Sequence, residues 1–141
     1  MSFLVQDGQT VVFIGDSITD CGRRDVAALL GNGYVKFIAD LIAIRNLAFK
    51  FTLVNKGISG NTVANLWERW HDDILALKPD WFSILTDIND VHFTLHNKLT
   101  PVLHDHCGQK IREEGGMSHV SFSRNAHNFL RAHSGFVGSR G

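Results

Sequence analysis

The sequence predicts an α/β protein organised on a parallel sheet, and three observations support that prediction. Thr10-Val11-Val12-Phe13-Ile14 is an unbroken β-branched and aromatic run, the pattern of a strand covered on both faces. Runs of this kind alternate with segments of helical spacing, giving βαβαβ across residues 1–96. Each run stops in a loop bearing glycine, asparagine or aspartate. Crossovers between parallel strands are right-handed almost without exception, which leaves few topologies to consider.

The first strand, 10–14, closes into Gly15-Asp16-Ser17-Ile18-Thr19-Asp20. A polar, glycine-bearing stretch continues to Gly33. Tyr34, Phe37, Ile38, Leu41 and Ile42 then recur at helical spacing up to about Leu47, which reads as the first crossover helix. Residues 49–55 alternate and then turn apolar, forming the second strand, stopped by Lys56-Gly57-Ile58-Ser59-Gly60-Asn61-Thr62. In the second helix Val63, Leu66, Trp67, Trp70, Ile74 and Leu77 share one face, Glu68, Arg69, Asp72 and Asp73 take the other, and Pro79 marks the end. Both tryptophans fall on the apolar stripe and read as core. The third strand, 81–86, closes into Asp87-Ile88-Asn89-Asp90.

After His96 the character changes. Residues 97–141 hold most of the eight histidines and a thinner supply of core-forming side chains. Val102-Leu103 is too short for a strand, Glu113-Glu114-Gly115-Gly116 is expected to break any helix, and only 123–133 has the makings of one. Residues 1–96 therefore read as an α/β domain and 97–141 as an atypical, poorly packed tail.

Bulk properties narrow the class of partner. The 141 residues carry 14 lysines and arginines against 14 aspartates and glutamates, so no field points to nucleic acid, membrane or a polyanion. Two cysteines, Cys21 and Cys107, make no disulfide framework, which suits a reducing compartment. Met1-Ser2-Phe3-Leu4-Val5-Gln6-Asp7 has neither a basic leader nor a long apolar stretch, and the expectation is a soluble, cytoplasmic protein. No cofactor is implied: Gly31-Asn32-Gly33 and the Gly57–Gly60 loop complete no phosphate-binding pattern.

Parallel strands end on the same side, so the loops holding Ser17, Gly60 and Asn89 converge at one edge. Gly-Asp-Ser alone is also ordinary turn chemistry. Together, the three loops offer a hydroxyl and three donors for an oxyanion: the Ser17 amide, the Gly60 amide and the Asn89 carboxamide. These blocks resemble the SGNH (GDSL-like) hydrolases, in particular the carbohydrate-acetylesterase-like branch. Gly15-Asp16-Ser17-Ile18-Thr19-Asp20 is similar to that family's first block, Asn55-Lys56-Gly57-Ile58-Ser59-Gly60-Asn61-Thr62 to its second, and Asp87-Ile88-Asn89-Asp90 to its third, over residues 8–95. The resemblance implies a three-layer, flavodoxin-like fold and a serine esterase for a small ester, chiefly an O-acetylated saccharide. Ser17 would be its nucleophile, and Gly60 and Asn89 the oxyanion donors.

Two departures stand against it. Asp87 occupies the place of a glycine: facing the site its charge would oppose an oxyanion, and facing solvent it is a turn residue. The family's last block, Asp-x-x-His, occurs nowhere in the sequence. The expectation is therefore a front half of the fold with doubtful activity. The alternative is a non-catalytic remnant, or a truncated or frameshifted product, at most a weak ligand-binding module. His127 and His133 lack an acid to orient them and read as surface residues, as does His71. His104-Asp105-His106-Cys107 matches no established zinc spacing, so no metal is expected, and Cys21 reads as a packing residue.

Overall fold

A computed structural model describes residues 5–25, 27, 29–45, 48, 50–86, 88–96 and 101–115. Its sheet has three parallel strands among the described residues, β1 (Thr10–Gly15), β2 (Thr52–Gly57) and β3 (Trp81–Leu85), in the order β2-β1-β3. The first strand is thus the central one, with Thr10 opposite Thr52 and Val11 opposite Trp81. That position accounts for its unbroken apolar run. Val12 and Ile14 face one core, with Val63, Leu66, Trp70, Ile74 and Ile84, while Val11 and Phe13 face the other, with Val35. The chain leaves β1 for a neighbour on one side and returns from β2 to a neighbour on the other. The order therefore reverses at β1, and a crevice opens beyond its carboxyl end.

The short helix α1 (Ser17–Asp20) follows β1 directly, and α2 (Tyr34–Arg45) completes the first crossover. Val35 and Ile42 are its buried residues, whereas Phe37 and Leu41, expected on the inner face, are 66% and 58% exposed. Apolar residues occur nearly all round this helix, so periodicity alone could not choose the face that packs.

The second strand lies later than expected, ending at Gly57 rather than Asn55, because Asn55 turns inward to hold neighbouring backbone. The second helix is also not continuous. It comprises α3 (Val63–Glu68), a departure from helical geometry at Arg69, and a π-helical turn at His71–Leu75. The buried stripe Val63, Leu66, Trp70 and Ile74 follows the expectation, while Leu77 is half-exposed. Lys78 takes up a positive φ of 47° before Pro79, a left-handed stop followed by a residue that cannot continue a helix.

Beyond β3 come α4 (Ile88–Leu95) and α5 (Pro101–Gly115). Residues 101–115 correct one expectation: they form a full helix packed against α3, and Cys107 and Ile111 enter the larger core with 3% and 0% exposure. A helix that packs through a narrow apolar stripe leaves little trace in a low overall apolar density. Glu113, Glu114 and Gly115 lie within that helix instead of breaking it. Asp87, the 123–133 segment, His127 and His133 lie outside the described residues. No described helix is long and apolar enough to cross a membrane.

Candidate active site

The end of β1 is built by close approach. A Cβ on Gly15 would meet the Leu85 carbonyl oxygen at 2.2 Å and Thr19 Oγ1 at 2.4 Å, so only glycine lets α1 and β3 converge there. Asp16, 1% exposed, caps α1 by accepting a hydrogen bond from the Ile18 amide at 3.0 Å. Ser17 is thereby the first residue of the helix, exposed at the mouth of the crevice. Among the described residues its amide donates to no protein group.

Asp20 and Asn55 fasten the loop after β2 to this corner. Asn55 donates from Nδ2 to the carbonyls of Thr19 (2.7 Å) and Leu30 (2.8 Å), and its Oδ1 accepts from the Gly57 amide at 2.8 Å. A Cβ on Gly57 would lie 2.2 Å from the Asp20 amide nitrogen, so β2 abuts α1 as tightly as β1 does. Asp20 Oδ2 accepts from the Ser59 amide and hydroxyl, both at 2.9 Å, and from Arg24 Nε and Nη2. Burial pushes the Asp20 carboxyl up, but the bonds from Ser59 and Arg24 outweigh it and hold the group below its ordinary value. Gly60, at the tip of the loop, adopts φ +83° with open space around it, a left-handed conformation that suits glycine.

The loop after β3 is tied to the same tip. Asn89 Nδ2 donates to the Asn61 carbonyl at 2.9 Å, and Thr86 Oγ1 reaches the same oxygen at 3.4 Å. Asp90 is fully buried, with both carboxylate oxygens 3.1 Å from the Val63 amide at the start of α3, where negative charge meets the positive end of the helix. Thr62 and Asn65 add a reciprocal capping box at that terminus.

The structure accordingly brings the three predicted site residues to one edge, and it links Asn89 directly to the backbone beside Gly60. One side chain was not foreseen. Arg69, assigned to the outward polar face, turns back to the sheet edge, donating to Asn61 Oδ1 (2.9 Å), the Lys56 carbonyl (2.8 Å) and the Gly15 carbonyl (3.3 Å). A helical wheel could not find it, because the wheel assumes that the α-helix continues through the very residue where it stops.

No described histidine is hydrogen-bonded to Ser17. His71 is exposed beside Asp72, and His92 on α4 and His96 just past its end are exposed with ring centres 4.6 Å apart. Among the described residues no group of three or more histidines, cysteines or acids is placed to hold a metal ion. Cys21 closes α1 in a left-handed conformation and packs beside Gly33. Burial, followed by the charges of Asp90 and Glu68, pushes the Cys107 thiol up.

Known proteins are similar to this chain in sequence and in fold. An acetylxylan esterase of Geobacillus stearothermophilus is 47% identical over 92 residues, which are 62% of this chain and 42% of that protein. This chain thus spans less than half of that relative's length. A crystal structure of acetylxylan esterase from the same organism superposes with a TM-score of 0.71 at 37% identity, covering 79% of this chain and 56% of the other. An α/β hydrolase from the metagenome of Lake Arreo, Spain, gives 0.70 at 30% identity, again over 79% of this chain and 56% of that one. The family pattern itself matches from residue 13 to residue 120, through all three loops and the helix behind them, and this chain belongs to the GDSL-like lipase/acylhydrolase family.

Proposed function

We propose that this chain carries the serine and oxyanion elements of an esterase for a small ester, an O-acetylated saccharide in the first instance. Ser17 Oγ attacks the acetyl carbonyl, and the resulting oxyanion takes hydrogen bonds from the Ser17 amide, the Gly60 amide and Asn89 Nδ2. Collapse of the tetrahedral intermediate expels the sugar oxygen, which takes up a proton, and leaves an acetyl ester on Ser17. Water then releases acetate. The observation that carries the reading is the 2.9 Å bond from Asn89 Nδ2 to the Asn61 carbonyl. It uses one hydrogen of the carboxamide, leaves the other to donate, and sets that donor relative to Gly60. The substrate class comes from the relatives, an acetylxylan esterase and an acetyl-xylooligosaccharide esterase.

The serine proton needs an acceptor. Catalytic mutants of the acetylxylan esterase replace a serine, an aspartate and a histidine, the last two three positions apart. This sequence contains no Asp-x-x-His. Absence of one triad member typically lowers turnover by about 10⁴-fold, so the chain by itself should hydrolyse a short-chain aryl acetate at background. A fluorophosphonate should label Ser17 slowly, with the label absent from Ser17→Ala. Rapid stoichiometric labelling at Ser17 would overturn the low-activity expectation, and labelling equal in Ser17→Ala would overturn the assignment of the nucleophile.

A further inference from the structure

Arg69 touches the ends of two strands and the loop between the second strand and α3. Its side chain is only 17% exposed, and it is held in place by an ion pair with Asp73, which also binds Lys56 at 3.0 Å. From that position Nη2 reaches the Gly15 carbonyl at the end of β1, Nη1 the Lys56 carbonyl near the end of β2, and Nε the side-chain oxygen of Asn61. The carbonyl of the same Asn61 accepts from Asn89 Nδ2 and lies 3.4 Å from Thr86 Oγ1, just past β3. One planar fork therefore fixes Asn61, and Asn61 fixes the carboxamide of Asn89.

We propose that Arg69 is a positioning residue of the oxyanion site, acting on Asn89 through Asn61; the proposal rests on the esterase reading given above. Its chemistry favours the role. A guanidinium presents five donors in a rigid plane, so three acceptors in different directions are met at little further loss of freedom. Lysine at the same place would keep the charge but not the fork. The Asn89 carboxamide pivots about a single side-chain torsion with a broad minimum, and without a fixed Asn61 its second amide hydrogen has no set direction.

The test uses the full chain, labelled with ¹⁵N, and follows the side-chain amide signals of Asn89, assigned by their loss in Asn89→Ala. In the wild type the proton bonded to Asn61 should be shifted from the free-amide position and slow to exchange. In Arg69→Lys, shown to be folded by circular dichroism, both signals should move to the free-amide position and exchange at least about tenfold faster. Asn61→Ala, which removes the carboxamide that Arg69 Nε holds but keeps the backbone carbonyl that Asn89 binds, should do the same, and the double variant should add nothing further. Slow fluorophosphonate labelling of Ser17 should fall by about 10²-fold, near the lower cost of losing an oxyanion donor. A folded Arg69→Lys with unchanged Asn89 signals overturns the proposal, as do effects that sum in the double variant. If Arg69→Lys does not fold, Asn61→Ala decides alone: displaced Asn89 signals support the relay and unchanged ones refute it. Absence of Ser17 labelling in the wild type counts against the esterase reading, while the Asn89 signals still decide the role of Arg69.

Discussion

Asp20 joins the loop after β1 to the loop after β2 through one oxygen, which receives two bonds from Ser59 and two from Arg24. Its carboxyl is held below the ordinary value of 3.8, so the ionised form is the one the fold stabilises. That contribution is complete above the unfolded value and is lost as pH falls through the lower folded one. Urea titrations should show Asp20→Asn less stable by about 2 kcal/mol at pH 7, the scale of hydrogen bonds to a charged group. Between pH 4 and pH 2 the wild type should lose stability more steeply than the variant; equal slopes would show that Asp20 does not contribute. At this scale the sequence was legible in part. The candidate residues Ser17, Gly60 and Asn89 were marked by short blocks at strand ends, where residue types stand in a particular local order. Asp20 and Arg69 were not, since what defines them is a partner 39 or 54 positions away.

Among the elements, α5 departs most from its sequence signal. Among its described side chains Ile111 is fully buried and Cys107 nearly so. Ile111→Ala should therefore cost about 2–5 kcal/mol, the range for truncating a buried aliphatic residue, with the loss read as a lower urea midpoint at unchanged slope. A change below about 0.5 kcal/mol would mean that α5 does not pack on α3 in solution. The three strands were readable because β1 is central and buried on both faces, and its composition reports that directly. The break in the second helix was not, for the buried stripe Val63, Leu66, Trp70 and Ile74 keeps its phase straight through the π-helical turn. Nor was the inner face of α2, where Val35 and Ile42 are buried while Phe37 and Leu41 remain outside.

For the whole molecule, charge balance has a measurable consequence. With 14 cationic and 14 acidic side chains, the net charge is zero when the histidines are neutral, and mutual repulsion between copies is then least. Solubility in polyethylene glycol should be lowest near pH 7, where the net charge is smallest, and should rise at pH 5.5 as the chain becomes cationic. A flat profile would mean that patches on the surface, rather than net charge, govern association. The family and the parallel architecture were legible before any coordinates, since three ordered blocks can come together only at one edge of such a sheet. The central place of β1 also bears on the order of events in time. Thr10 pairs with Thr52 and Val11 with Trp81, so the strand made first meets its neighbours only after two long crossovers have been synthesised. Pairings between such distant parts of a chain form slowly, and an apolar strand without neighbours invites the wrong ones. The serine loop is thus the earliest part of the crevice to emerge from the ribosome and the last to become part of a site, because it waits for β3 to dock.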